Sequence, residues 1–399
     1  MTTSFDFQIV RDPEDFRALQ PEWDALWSRS LTPRFSQSFA WCLAGWKTTG
    51  EPRKRSLHIV VMRANGRAVL IWPMVLKRRF GCRLATALGS ESTEYDSVLV
   101  ENGPDASAHL RAAWVFVQRH CRVDVVAVPF VRHDTDMHQI LSTATAHRVV
   151  HTLPSPFTTW DNVASWDAYA RSLSSNLRTG LARRRRRLAE LGRISFELID
   201  DPAEQAATID WTLRRKIDWM SQKEKANNFL ATQEYRNFLL TISEQSPVAG
   251  RLGIFALKCD ERIMAAKIVA VDESRCEGFI TVYDPAFAAY SPGQIILANC
   301  LKWCQEQGLT YDFRIGEESY KRDWANGDCL ATTYHLANTW LGVLQLAAAT
   351  ALRNGRQAKD RLRTCIPADS RRRTKARLLA LRERLSRGYA PQAEMSLNA

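Results

Sequence analysis

The stretch Tyr283-Asp284-Pro285, followed by Ala289-Tyr290-Ser291-Pro292-Gly293-Gln294 and an apolar run, has the make-up of an anion seat at a helix start. Ser291 suits an N-cap and Pro292 the first helical position. Gln294 falls three residues after the cap, which completes a capping box. Gly293 keeps bulk away from the first turn, and Tyr283 and Tyr290 precede it. Free backbone amides there, with the positive end of the helix dipole behind them, hold phosphate or pyrophosphate. In the plainer reading Ser291 and Gln294 cap the helix and use up those amides.

A second polar group follows the next apolar run: Asp312, Arg314, Gly316, Glu317, Glu318, Tyr320, Lys321 and Trp324. In a parallel α/β arrangement the carboxyl end of that strand and the start of the preceding helix face one crevice. Glu317 or Glu318 would deprotonate a nucleophile there, and Lys321 or Tyr320 would steady developing negative charge. Solvated turns use the same residue types. In the first half, Gly89 to Asp96, with Glu94, Tyr95 and Asp96 at its end, offers the hydroxyls, carboxylates and aromatic ring of a sugar site or of an ordinary loop.

The sequence holds no Walker-type phosphate loop, no G-x-G-x-x-G after a strand, no G-x-S-x-G elbow and no zinc-type Cys/His spacing. Hydride transfer, nucleotide hydrolysis and serine hydrolysis thus lack their signatures. Cys300 and Cys304 stand one helical turn apart and read as buried thiols. The cluster His133, Asp134, Asp136, His138 reads as a solvated loop, and no metal is expected.

The elements that must position these groups occur twice. Leu57 to Met62 and Ala68 to Leu76 flank the hairpin signal Asn65-Gly66. A third run at Tyr95 to Val100, a helix at Ala106 to His120 and a strand at Val123 to Val131 follow. In the second half, Leu252 to Leu257, Ile263 to Val271, Glu277 to Tyr283, the helix Pro292 to Gln307 and the strand Tyr311 to Ile315 repeat the order β-β-β-α-β. The expected fold class is therefore α/β (α+β): two copies of one mixed sheet flanked by helices, over 1–155 and 156–340, and a basic helical tail over 341–399. Leu153-Pro154-Ser155-Pro156 marks the break. Helical segments with the run Arg183 to Arg187 follow it, and the tail carries an apolar stripe at Leu378, Leu381 and Leu385.

The chain has 399 residues, nine Cys at irregular spacing and a formal net charge of +12. From Leu341 onward there are 13 Lys+Arg against 4 Asp+Glu, so the tail carries most of the excess. Such a tail suits anionic lipid or a soluble anion rather than nucleic acid, which more often meets charge spread over a folded body. The start of the chain has the acidic residues Asp6, Asp12, Glu14 and Asp15 and no apolar segment, which points to the cytoplasm.

Five groups in order, Arg34-Phe35 with Trp41, Gly89-Ser90 with Glu94-Tyr95-Asp96, Leu173 to Arg178, Tyr283-Asp284-Pro285 with Tyr290 to Gly293, and Asp312-Phe313 with Gly316 to Trp324, resemble the GNAT-type acetyltransferases associated with cellulose and exopolysaccharide biosynthesis. The likeness covers about residues 5 to 335. It implies tandem GNAT domains of Fem-like architecture and acyl transfer from acetyl-CoA or another acyl-CoA. The cofactor's pyrophosphate would lie at Tyr290 to Gln294, with Tyr283 beside it. It further implies a sugar nucleotide or lipid-linked sugar as acceptor, met by Glu94, Tyr95, Asp96, Arg178 and Trp324. Glu317, Glu318, Tyr320 and Lys321 would supply the chemistry. The sequence departs from the usual pyrophosphate loop in having Gly293 as its single glycine. Two alternatives stand beside this reading: a Fem-type ligase using aminoacyl-tRNA, and a non-catalytic adaptor of the same fold.

Overall fold

The computed structural model describes residues 5–30, 33–79, 81–92, 94–96, 98–144, 147–222, 229–244 and 250–365. Its strands are β1 (Phe5–Val10), β2 (Ser56–Ala64), β3 (Arg67–Arg79), β4 (Cys82–Ala87), β5 (Leu99–Val100), β6 (Val125–Arg132), β7 (His147–Pro154), β8 (Phe157–Thr158), β9 (Ile194–Leu198), β10 (Arg251–Cys259), β11 (Arg262–Val271), β12 (Arg275–Tyr283), β13 (Thr310–Asp312) and β14 (Leu330–Ala337). Its helices are α1 (Pro13–Ala18), α2 (Gln20–Trp27), α3 (Phe39–Gly45), α4 (Ala106–His120), α5 (Asp136–Ser142), α6 (Trp166–Ser172), α7 (Ser175–Ala189), α8 (Pro202–Gln222), α9 (Gln233–Ser243), α10 (Pro292–Gln307), α11 (Ser319–Trp324) and α12 (Trp340–Cys365).

The first sheet runs β1-β2-β3-β4-β6-β14-β7, with β5 attached to β3. Asn65 (φ 53°) and Gly66 (φ 75°) close the β2–β3 hairpin, the pair of positive φ values that a tight two-residue turn needs. Both faces of β2 are buried. Val60 and Met62 pack with Trp72 and Trp114 on one side; Ile59 and Val61 pack with Phe16, Trp23 and Phe39 on the other. A strand covered twice reads as one continuous apolar run, which is how Leu57 to Met62 reads.

The second sheet runs β8-β13-β12-β11-β10-β9. Helix α10 covers one face, where Ala265, Val269 and Cys276 meet Ile296, Cys300 and Leu301. Helices α8 and α9 cover the other, where Ile254 and Ile268 meet Ile209, Phe238 and Leu239. In both sheets a helix carries the chain into a parallel pair, β4 with β6 through α4 and β12 with β13 through α10. The expected repeat is thus present, with one difference. The third strand of the first copy is β4 rather than Tyr95 to Val100, of which only Leu99–Val100 is strand. The polar Arg78-Arg79 and the reversal at Gly81 (φ 79°) disguise β4 in the sequence.

The two copies do not divide the chain at one point. The change of sheet falls between β7 and β8, at Ser155-Pro156. Strand β14 then returns to the first sheet and lies between β6 and β7. Residues Met1–Val343 form one compact unit and Leu344–Ala399 a second. In the tail α12 is a single helix, and the stripe Leu378, Leu381, Leu385 lies outside the described residues. Among the described residues no helix is long and apolar enough to cross a membrane.

Side chains of the first half also enter the second half's core. The fully buried Trp41 ring lies 4.9 Å from Phe238 and 5.4 Å from Phe279. Trp41→Ala should cost about 3–5 kcal/mol. In urea unfolding followed by far-UV and near-UV signals, one transition should move as a whole; a split into one shifted and one unshifted transition would show that the halves fold independently.

Candidate functional site

Strands β12 and β13 pair over three residues each, Arg275, Cys276 and Glu277 against Thr310, Tyr311 and Asp312. Beyond that point β12 continues to Tyr283, while the chain after Asp312 turns away through Arg314 (φ 60°) and Gly316 (φ 142°). The diverging strands open a cavity of about 340 Å³. Its walls come from Lys267 of β11, Gly278, Phe279 and Thr281 of β12, Tyr311 of β13, Arg314 and Ile315 after the split, and Glu318, Tyr320 and Lys321. The first half contributes Glu94, and α9 contributes Tyr235.

A buried cation holds the apex of the split. Glu277 and Asp312 are partners across the two strands, so two carboxylates face each other. Arg34 of the first half lies between them, its Nη1 2.5 Å from Glu277 and 3.0 Å from Asp312. Its guanidinium stacks 3.7 Å from the Tyr95 ring centroid. Burial works against the Arg34 charge, and Glu277 and Asp312 outweigh it and hold the group well above its ordinary range. Burial likewise works against the Asp312 carboxylate, and Arg34 and Arg275 outweigh it and hold it low.

This geometry sorts the residues expected from the sequence. Glu94, Glu318, Tyr320 and Lys321 are brought together at the cavity. Glu317 is exposed and does not line it. Tyr95 is buried: its hydroxyl donates to Asp312 Oδ1 at 2.9 Å and lies 2.7 Å from Ser155 Oγ. Asp96 accepts from the Val98 amide at 3.3 Å, and burial pushes it up to about 6. Trp324 is fully buried, its indole donating to Gln294 Oε1 at 2.9 Å. Arg178 is exposed on α7 and donates to the Arg171 carbonyl. Tyr95, Asp96 and Trp324 therefore brace the site from within, and neither they nor Arg178 line the cavity.

The helix start also differs from expectation. Ser291 adopts a left-handed conformation (φ 48°, ψ 55°) at the end of the 3-10 turn Pro285–Tyr290 and gives α10 no side-chain cap. Gln294 is committed to Trp324, so no capping box forms. Neither side chain uses up the first-turn amides. A Cβ at Gly293 would meet only Tyr283, at 3.7 Å. The arginine run lies alongside: Arg187 sits 4.9 Å over the Tyr290 ring, and Arg185 donates to Asn299 of α10 at 2.9 Å.

Within the cavity the charges divide by role. Lys321 is 5% exposed and spends its amine on the carbonyls of Arg314 (3.1 Å) and Ile315 (2.7 Å) and on Glu318 (3.1 Å). It clamps the turn after β13. Burial raises Glu94, with Arg314, 3.2 Å from its Oε2, pulling the other way. Burial pushes Tyr320 up to about 12. Lys267, Gly278, Tyr235 and Tyr311 are absent from the sequence-based set. A lysine amid the apolar run Ile263 to Val271 was the available signal. Cys276, Cys300 and Cys304 are buried with their sulfurs within 4.8 Å of one another. Asp136 and His138 lie in α5 rather than in a loop, the His138 ring stacked on His133 and bonded to Tyr334.

Residues 175–322 match the family model described as an Acetyltransferase (GNAT) domain. No curated protein matches the chain. Among solved structures the chain resembles FemX, at 12% identity and a TM-score of 0.58 over 84% of this chain and 98% of that one. It also resembles a conserved protein of unknown function from Bacteroides thetaiotaomicron VPI-5482, at 11% identity and TM-score 0.52 over 84% and 100% of the two chains. A third likeness is to the C-terminal DUF2156 domain of a putative lysylphosphatidylglycerol synthetase from Agrobacterium fabrum, at 11%, 0.51, 84% and 97%. These likenesses concern the fold, and with the domain match they give the second half a GNAT acyltransferase fold.

The Asp96 carboxyl titrates higher folded than its ordinary value of about 4, so it favours the native state below that value and loses this as pH rises through 6. Asp96→Asn should therefore melt higher than the parent at pH 7.5, by about 2–3 kcal/mol at most, and equal it near pH 3.5. Thermal melts at both pH values check this; an equal shift at both would assign the effect to packing.

Proposed function

We propose that the chain is an acyltransferase that takes its acyl group from a coenzyme A thioester. The observation that carries this reading is the split between β12 and β13, with a cavity in it and the uncapped start of α10 beside it, inside the segment that matches a GNAT domain. An extended pantetheine arm has amides that need partners, and the β12 edge beyond Glu277 has backbone groups that β13 does not pair. The donor's phosphates suit the positive end of α10 at Gly293, since Pro292 has no N–H and the Gln294 N–H is taken by the Ser291 carbonyl at 3.0 Å; Gly293 leaves room, and Arg187 near Tyr290 adds positive charge.

The acceptor enters from the side of Glu94 and Tyr235. Its amine or hydroxyl must lose a proton as the C–N or C–O bond forms and the C–S bond breaks. Glu94 is the base best suited to take that proton, since burial raises it and Arg314 orients it. This moves the role from Glu317 and Glu318, the first exposed outside the cavity and the second paired with Lys321. Tyr320, held protonated by burial, is suited to donate a hydrogen bond to the leaving thiolate, which takes its proton from solvent. The hydroxyls and carboxylates at the cavity fit a sugar precursor as acceptor, an acetyl group is the simplest donor cargo, and the basic tail suits an anionic surface near such a substrate.

Two outcomes test the reading. Coenzyme A and acetyl-CoA should each raise Tm, by about 2.7 kcal/mol of added stability at a hundredfold excess over Kd, and Gly293→Asp should weaken that binding on the order of tenfold by placing a carboxylate at the phosphate seat. Glu94→Gln should keep the Tm response and lose about 10²–10⁴-fold in thiol release with amino-sugar acceptors. The parent's rate should fall as acid protonates Glu94, at a pH above the usual glutamate range, and the variant should lack that limb. Full turnover in Glu94→Gln would remove the assignment.

A further inference from the structure

Lys267 stands in the middle of β11, in a run whose neighbours on both sides are buried, and is itself 4% exposed. Its amine reaches the cavity, where it donates to Thr281 Oγ1 at 2.8 Å and lies 5.4 Å from the Tyr311 ring centroid. Glycine at 278 is what lets the Tyr311 hydroxyl come in beside the amine. A Cβ there would stand 3.5 Å from the Lys267 amine and would collide with the Tyr311 hydroxyl. An ammonium and two hydroxyls thus converge over a bare backbone position.

Among the described residues Lys267 makes no ion pair, whereas Lys77, Lys258 and Lys321 each have a carboxylate within 3.1 Å. The charge-bearing neighbours are Lys321, a like charge, and the buried thiols of Cys276, Cys300 and Cys304; burial, the largest influence, disfavours the ammonium. A buried cation in a cavity is costly unless a partner arrives with the ligand. The position also says which part of a ligand meets it. Lys267 shares its face of the sheet with Ala265 and Val269, the face that α10 covers. Tyr235 belongs to the core on the opposite face, under α8 and α9. A group beside Tyr235 thus lies toward the opposite face from the amine, and the slot between the strands joins the two sides of the cavity.

We propose that the slot accepts an acyl thioester whose acyl chain ends in a carboxylate, of the malonyl or succinyl type, and that Lys267, Tyr311 and Thr281 hold that carboxylate. This rests on the acyltransferase reading, in which the group in the slot is the donor's acyl end. The ligand carboxylate supplies the missing counter-charge, and the two hydroxyls complete its hydrogen bonds. An acetyl group fills the same slot and leaves the amine unpaired.

Isothermal titration of the full chain with coenzyme A, acetyl-CoA, malonyl-CoA and succinyl-CoA tests this. At least one carboxylate-ended donor should bind tenfold or more tighter than acetyl-CoA. In Lys267→Met that preference should vanish while acetyl-CoA affinity is kept, and Tyr311→Phe, a milder change, should narrow it. Lys267→Met should melt no lower than the parent, since it removes a buried unpaired amine. Equal affinity of all acyl donors in the parent, or a preference that survives Lys267→Met, overturns the inference and leaves the thiols as the amine's counterweight. Absence of heat with every derivative, coenzyme A included, removes the acyltransferase reading and this inference with it.

Discussion

Two carboxylates on adjacent strands, Glu277 and Asp312, are register partners, and like charges so placed push strands apart. Arg34, delivered from the other half of the chain, lies between them and turns repulsion into a clamp. The last paired residues of β12 and β13 are therefore the ones the arginine grips. Pairing stops there, and the cavity begins. Tyr95 stacks on the arginine and donates to Asp312, so one network fixes both the sheet edge and the seam between the halves. The site's shape depends on a contact some 240 residues apart in sequence.

That contact explains what could be read from the sequence and what could not. The helices Ala106–His120 and Pro292–Gln307 and the Asn65-Gly66 hairpin follow from local pattern, because turn residues and periodicity lie within a few positions of one another. Glu318, Tyr320 and Lys321 were legible as polar residues just past a strand, and Glu94 as one of a polar cluster leading into an apolar run. Tyr95, Asp96 and Trp324 lie in the same sequence clusters, and only the tertiary fold turns them inward. The capping box at Ser291 failed because the preceding 3-10 turn leaves that residue left-handed, and a buried tryptophan claims Gln294. Lys267 lay hidden inside an apolar strand, where a lysine is an anomaly that pattern alone assigns no job.

The site separates groups that hold from groups that act. Lys321 has three acceptors and fixes the turn after Asp312, which keeps Arg314 in place beside Glu94. Glu94 arrives from the first half, so this carboxylate and the slot come from different copies of the repeated unit. A duplicated fold has thereby become unequal. In the second copy the parallel pair splays and makes room; the first copy lends an arginine, a tyrosine and a glutamate to that opening.

Strand β14 lies between β6 and β7, although nearly 180 residues separate it from the end of β7. During synthesis on the ribosome β6 and β7 must emerge without the strand that joins them, each with backbone groups waiting for it. The nascent first sheet stays incomplete until residue 337 leaves the exit tunnel, by which time the entire second sheet has been made. Such a molecule cannot mature one half at a time, and it has most need of a chaperone in the interval before its last strand arrives.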